Sequence, residues 1–161
     1  MLEILKKLES SKEFKSWKSD NPGYYLSSLF STLDKEESLK WQFHYYSKEK
    51  DEIVTFNLSP EITIDPDSEV FKKKDSRIEP LEIQKVKLGV MQALRKIKNL
   101  KQYSHETFNQ KIILLQQFEN QPSWNISLIT STYQIINIKL SAISGKVLHE
   151  SKESLLSFKT S

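Results

Sequence analysis

The chain has 161 residues, and its 24 basic and 21 acidic side chains leave a formal net charge of +3 at pH 7. So small an excess supports solubility and excludes the strong positive field of proteins that hold nucleic acid mainly by charge. With 37% hydrophobic residues the chain is too apolar to be disordered. The absence of cysteine excludes disulfides and thiolate chemistry, and three glycines are too few for a glycine-rich phosphate loop.

The N-terminal segment and the longest apolar runs bear on location. The first nine residues mix apolar and charged side chains too closely for the apolar core of a secretory signal. No apolar run approaches the roughly 20 residues that are needed to cross a bilayer. The sequence therefore predicts a cytoplasmic protein with no membrane partner.

Two helical segments are predicted before the first strand. Residues 2–18 have partial helical spacing, and Ser10 with Glu13 has the pattern of a capping box that restarts the helix. In the turn that follows, proline presets φ and Gly23 supplies a positive φ. Apolar residues then recur at i, i+3, i+4 and i+7, which predicts a helix over 24–33. They are Leu26, Leu29, Phe30 and Leu33.

Two alternating segments, 41–47 and 52–58, predict a β-hairpin with a charged loop. One face of its first strand carries Trp41, Phe43 and Tyr45, and the other carries Gln42, His44 and Tyr46. A short alternating piece at 62–64 and an edge strand at Val70-Phe71 complete the first half.

The second half opens with an alternating lead-in at 86–88, followed by a helix whose apolar stripe is Val90, Ala93, Leu94 and Ile97. Residues 112–115 are apolar on both sides, the pattern of a strand that is covered on both faces. Further strands are predicted from Trp124, at 136–140 and at 147–148. The tail should dock through Leu155, Leu156 and Phe158.

The two halves share one pattern. Each has a hairpin that starts at a tryptophan, at 41–58 and at 124–140, and each has a helical apolar stripe before it. This predicts an α+β fold made of two diverged repeats of a helix packed on an antiparallel sheet. The first unit spans 1–72, a linker spans 73–80 and the second unit spans 81–161. The first unit is expected to lack a counterpart of strand 111–118.

Several motifs of the second half occur together in one family. They are the lead-in Val86-Lys87-Leu88, Ala93-Leu94 on the helix, Trp124-x-Ile126-x-Leu128, and Ile136-x-Ile138-x-Leu140-x-Ala142-x-x-Gly145-Lys146-Val147-Leu148. With them, residues 86–148 resemble a PepSY-type domain, although Ser141 stands where an aspartate is usual. The resemblance implies a helix on an antiparallel sheet. It also implies a non-enzymatic role in regulating peptidases or in extracytoplasmic signalling.

Patterns of catalytic or metal-binding residues are weak. His44, His105 and His149 have no spacing that predicts a shared metal or base, and no nucleophile elbow surrounds a serine. Asp65, Asp67 and Glu69 alternate like half of a calcium loop, but the glycine and the distal glutamate are missing. We therefore predict no enzyme, no metal and no cofactor.

Basic residues concentrate at 72–74 and at Arg95, Lys96, Lys98 and Lys101. These are expected as the solvated face of a helix, so nucleic acid is disfavoured as a partner.

Aromatic residues give the best candidate for binding. Trp41, Phe43, Tyr45, Phe56 and Trp124 are expected in the core. Tyr24, Tyr25, His44 and Tyr46 either join the core or gather on the outer sheet face as an amphipathic recognition surface. The predicted function is binding or regulation, with a protein or peptide recognised through a sheet face or edge, and the same edges could form a homodimer.

Two alternatives remain open from the sequence. The first is a small-molecule binder or enzyme whose pocket lies between the two units and brings together two or more of His44, His149, Asp65 and Glu69. The second is a weak nucleic-acid binder that uses the helix end at 95–101.

Overall fold

In the part of the chain that the structure describes, one antiparallel sheet of eight strands carries three α-helices, which makes an α+β fold. The computed structural model describes residues 1–33, 38–69 and 77–154, of which 66–69 are described by backbone alone. The helices are α1 (Leu2–Ser10), α2 (Lys12–Asp20) and α3 (Val90–Lys98). The strands are β1 (Tyr25–Leu33), β2 (Gln42–Ser47), β3 (Glu52–Asn57), β4 (Thr63–Glu69), β5 (Phe108–Phe118), β6 (Gln121–Thr130), β7 (Gln134–Ser141) and β8 (Val147–Ser154).

The sheet is continuous across the middle of the chain. Its strand order is β4-β3-β2-β1-β5-β6-β7-β8, so each half contributes a meander and the two meanders meet where β1 pairs with β5. Trp41 and Trp124 face each other across this junction with ring centroids 6.3 Å apart. Both are buried, at 7% and 0% exposure. The buried residues of both halves form one hydrophobic cluster. The division into units 1–72 and 81–161 stays a prediction.

The helix predicted over 24–33 is wrong, because this segment is the central strand β1. Its buried positions alternate, but two of them are Ser27 and Ser31, so period two is hidden in the sequence. Both hydroxyls donate to backbone carbonyls, at 3.0 Å each. A register irregularity between Leu26 and Ser28 also places Leu26 and Leu29 on one face, three residues apart. A β-bulge therefore imitates helical spacing here.

The identity of β1 corrects a second expectation. The first half was expected to lack a counterpart of strand 111–118, yet β1 opens its meander as β5 opens the other. The helix that precedes β1 is α2. Phe14 of α2 packs its ring 5.1 Å from Tyr45 and 5.3 Å from Phe56, over β2 and β3.

The break between α1 and α2 is confirmed, with a different cap. Ser11, and not Ser10, accepts a hydrogen bond from the backbone N–H of Phe14 at 3.1 Å. The Ser10 hydroxyl instead donates to the carbonyl of Lys7. Gly23 lies in the predicted turn, but its φ is not positive.

Among the other predicted elements, some are confirmed, one is wrong and two lie outside the described residues. The hairpin of β2 and β3 and the helix α3 are confirmed. Residues 86–88 do not form a strand, since the amides of Lys87 and Leu88 both donate to the carbonyl of Ala142. The predicted edge strand at Val70-Phe71 and the tail with Leu155, Leu156 and Phe158 lie outside the described residues.

The turn between β7 and β8 depends on a serine and a glycine. The Ser141 hydroxyl oxygen accepts from the amides of Ile143 and Ser144 at 3.3 and 3.2 Å. It therefore caps the turn as a carboxylate at this position could. Gly145 has φ +74, and a Cβ placed there would come within 2.7 Å of the Lys96 side chain.

Replacing Gly145 with alanine is expected to lower the free energy of unfolding by about 1–2 kcal/mol, because an L side chain is strained at positive φ. Urea unfolding followed by tryptophan fluorescence measures this. The matched control is Gly23→Ala, where a Cβ meets nothing within 4 Å. That change should be neutral or stabilising by less than about 1 kcal/mol. Equal losses from the two variants would contradict the assigned backbone conformations.

Candidate binding site on the outer sheet face

All three helices pack on the same face of the sheet. The rings of Phe14 and Trp17 in α2 contact Tyr45 and Phe56, and α3 lies over Leu128. Within the described ranges, no α-helix packs on the opposite face, which we call the outer face. An antiparallel sheet with one face open to solvent usually carries polar side chains there. This outer face follows the rule at its borders but not in its middle.

Apolar and aromatic side chains gather in the middle of the outer face. We call this group the outer-face cluster; it consists of Tyr25, Phe30, His44, Tyr46, Ile112 and Leu114. The rings of Tyr25 and Tyr46 meet edge-on at 5.7 Å. Those of Phe30 and His44 stack at 6.3 Å with 21° between their planes. Aromatic side chains in such contact form a preorganised apolar surface.

Strand pairing brings the cluster together. Phe30 lies between Gln42 on β2 and Leu114 on β5, and Thr32 lies beside Ile112. Because the irregularity in β1 falls before Ser28, Tyr25 and Phe30 share a face although their spacing is odd. The cluster therefore depends on the pairing of β1 with β5, which lies far from β1 and β2 in the sequence.

Hydrogen-bonded polar side chains border the cluster on both sides. Gln42 donates from Nε2 to Oδ1 of Asn57 at 2.7 Å. On the far side, the hydroxyl of Ser127 donates to Oδ1 of Asn137 at 2.6 Å. These pairs satisfy each other, so the border is polar and ordered around an apolar centre. A central apolar patch with a polar rim is the usual anatomy of a protein interface.

A hollow adjoins the cluster at the tyrosine pair. Its volume is about 530 Å³, and the segment 77–80 forms one wall. The hydroxyl of Tyr25 donates to the carbonyl of Ile78 at 2.7 Å, and that of Tyr46 donates to Asp51. The other lining residues carry charges of both signs, at Lys48, Asp51, Arg77 and Glu79. The hollow could accept one polar side chain of a bound peptide.

Three of the four sequence-predicted site residues lie together. Tyr25, His44 and Tyr46 are all on the outer face, but Tyr46 is only 3% exposed there, so it supports the ring of Tyr25 and is not itself a contact surface. Tyr24 lies on the helix-covered face, 3% exposed, with its ring 5.2 Å from that of Trp17. Tyr24 precedes the strand directly, and adjacent residues of an extended chain point to opposite sides. It therefore belongs to the core side and not to the candidate site.

The sequence reasoning missed three members of the cluster. Phe30 was assigned to a helix, which hid its place opposite Leu114. The signal for Ile112 and Leu114 was present, because the run from 112 to 115 is apolar on both sides. In the structure only Ile113 and Leu115 are buried, while Ile112 and Leu114 remain half-buried on the outer face.

His44 is held as a neutral ring. Its Nδ1 lies 2.9 Å from the hydroxyl of Ser28, and burial lowers the pKa of the imidazole. No carboxylate is paired with it in the described part of the chain. The arrangement suits a packing and hydrogen-bonding role better than acid–base chemistry.

The constellation of His44, His149, Asp65 and Glu69 does not converge among the side chains described. Four strands separate β2, which holds His44, from β8, which holds His149. Asp65 accepts from Nδ2 of Asn57 at 2.9 Å, and the Glu69 side chain is outside the description. The described residues contain no group of three or more His, Cys, Asp or Glu that could hold a metal ion.

One solved structure has a fold similar to that of this chain. No protein-family model and no curated protein matches the chain. A crystal structure of a "putative lipoprotein" from Clostridium difficile 630 aligns with a TM-score of 0.59 and 11% identity. The alignment covers 88% of this chain and 90% of that one. At this identity the two share a fold alone. Within the described ranges, no helix is long and apolar enough to cross a membrane.

Acid should destabilise the protein through His44. Because burial lowers its pKa, the folded state takes up this proton less readily than the unfolded chain does. The His44 contribution to the free energy of unfolding is therefore intact above the unfolded pKa of about 6.5 and falls below it, by at most about 1.4 kcal/mol per pH unit. Urea unfolding of wild type and His44→Gln between pH 7.5 and 5 measures the difference.

The wild type should lose more stability than His44→Gln over this range. His149→Gln, at an exposed position on β8, serves as the control and should follow the wild type. An acid loss in His44→Gln as large as that of the wild type would contradict the role of the buried ring.

Proposed function

We propose that this protein is a non-enzymatic binding or regulatory protein that recognises a protein or peptide through the outer-face cluster. One observation carries the proposal: residues 112–115 of β5 are apolar on both sides, while the described helices cover one side only. Strands with this pattern are usually buried on both faces. A partner that lies on Ile112, Leu114 and Phe30 would supply the missing cover.

The composition of the cluster supports a protein or peptide partner. Aromatic side chains are enriched in the centre of protein interfaces, and charged ones are depleted there. The outer-face cluster holds three aromatic residues and a neutral histidine, with the amide and hydroxyl groups of Gln42, Asn57 and Ser127 around it. Such a centre provides contact area without the cost of removing charges from water.

The sheet face is a better recognition surface than the edge strand β8, which pairs with β7 alone among the described strands. β8 exposes His149, Glu150, Lys152 and Glu153. Charged side chains on an edge strand oppose the addition of another strand. We therefore favour the face over strand addition and over a homodimer formed through this edge.

The two halves are also proposed to be diverged PepSY-like repeats. In each half a helix precedes a four-stranded meander, and a tryptophan lies at or near the start of the second strand, Trp41 in one and Trp124 in the other. The turn cap by Ser141 supports the PepSY resemblance of the second half. Under this proposal the partner would be a peptidase or a peptide. The cytoplasmic location remains a prediction, which cell fractionation would test.

The test uses peptides selected from a random display library on the immobilised full chain. For each selected peptide, fluorescence anisotropy measures its affinity for wild type and for the double variant Phe30→Thr with Leu114→Thr. Threonine suits a strand, so the sheet should persist. Loss of two central apolar contacts should weaken binding about tenfold or more. Tyr133→Asn is the control, since Tyr133 is 63% exposed in the turn after β6 and asparagine tolerates its positive φ; its effect should be below about twofold.

Two outcomes would overturn the proposal. One is selection of peptides whose affinity the double variant leaves unchanged. The other is a concentration-dependent dimer, measured by light scattering, that the double variant abolishes. That dimer would make a second copy of the chain the occupant of the outer face.

A further inference from the structure

A groove separates α3 from the sheet on the helix-covered face. Its volume is about 450 Å³, and its walls come from α3, from β5 and β6, and from Leu33 at the end of β1. Both halves of the chain therefore contribute to it. The groove lies on the opposite side of the sheet from the outer-face cluster, so any ligand here is separate from the partner proposed above.

The floor of the groove is apolar. Leu33, Ile97 and Leu128 are buried beneath it, while Leu94 and Phe108 are half-buried in its walls. Met91 stands at the mouth with 56% of its surface exposed. α3 buries Val90, Ala93 and Ile97 against the sheet, whereas Leu94 is half-buried at the edge of the core and Met91 is exposed. Apolar side chains in a concave site of this size are typical of a small-molecule pocket.

The rim of the groove is basic. Arg95 and Lys98 are one helical turn apart on α3, and Lys111 approaches from β5. None of the three forms an ion pair with another described residue. Like charges three or four residues apart on a helix repel each other, and no described carboxylate offsets them here. The rim is therefore complementary to an anion.

The position of Lys111 is unusual for a lysine. Strand pairing aligns it with Leu33 on one side and Leu128 on the other, both of which face the core. A lysine on the apolar face of a strand packs its methylene groups along that surface and presents the ammonium at the edge. Lys111 thus joins the apolar floor to the charged rim.

We propose that the groove binds an amphiphile with one apolar chain and an anionic head group, such as a long-chain carboxylate. The chain would lie along Leu33, Leu94 and Leu128. The head group would accept hydrogen bonds from Arg95, Lys98 and Lys111. These hydrogen bonds are stronger than those between neutral groups because both partners are charged. Nucleic acid fits less well, since Phe108 is the one aromatic side chain among the described lining residues and it is half-buried.

The probe for the test is cis-parinaric acid, a fluorescent long-chain fatty acid, titrated into the full-length protein. Its methyl ester keeps the chain and removes the charge, and acetate keeps the charge and removes the chain. Displacement by saturated fatty acids of decreasing length measures burial of the chain. Each CH₂ removed should weaken binding about fourfold, as expected for a buried methylene group.

Several variants assign the site. Arg95→Gln combined with Lys98→Gln should lower the affinity for the acid at least about tenfold and leave the affinity for the ester nearly unchanged. Met91→Glu should also lower the affinity for the acid, because it places a carboxylate at the mouth of the groove, where it repels the anionic head group. The matched control for Lys98→Gln alone is Lys96→Gln, which removes one charge from the same helix at a position beside the Gly145 turn. This control should change affinity by less than about twofold.

The proposal fails if parinaric acid does not saturate, or if acid and ester bind equally. It fails also if Lys96→Gln lowers the affinity for the acid as much as the rim variants do. That result would indicate that the overall charge of the protein attracts the acid. Acetate that competes at the same concentration as a fatty acid would indicate a simple anion site. Rim-dependent binding of a single-stranded oligonucleotide without binding of the fatty acid would assign the rim to nucleic acid instead.

Discussion

Antiparallel pairing between β1 and β5 joins the two halves of the chain, with Ser28 to Leu33 opposite Gln116 to Lys111. This one ladder converts two meanders into a continuous sheet and gives both halves a common core. It lies in the middle of the sheet, beside the contact between Trp41 and Trp124. Without it, each half would expose the edge of its first strand and the side of its tryptophan.

The register of this ladder decides which side chains face inward. Leu29 and Leu115 meet on the core side, while Phe30 and Leu114 meet on the outer face. A shift of one residue would exchange the two sets, since successive residues of a strand alternate. Burial of Leu29 and Leu115 under the helices therefore fixes the exposure of Phe30 and Leu114. The outer-face cluster follows from the packing of the core.

The same pair of strands also shapes the groove beneath α3. Leu33 and Lys111 are partners at the end of the ladder, and they supply an apolar wall and a charge to the groove. The two proposed sites thus share a structural origin on opposite faces of one strand pair. A change in β1 or β5 that disturbs the register would affect both sites, whereas the variants chosen above change surface positions of one site at a time.

The sequence by itself determined the α+β class, the hairpin of β2 and β3, the helix α3 and the faces of Gln42, His44 and Tyr46, because local periodicity is strong in these segments. It failed at β1, where inward serines and a bulge removed the period-two signal. Its binding-site prediction named Tyr24, Tyr25, His44 and Tyr46 but not Phe30, Ile112 or Leu114, and Tyr24 lies on the core side. Only the tertiary structure decided that these side chains share a surface, and that Arg95, Lys98 and Lys111 line one groove. Such neighbours depend on pairing between distant strands, which single-strand patterns do not encode.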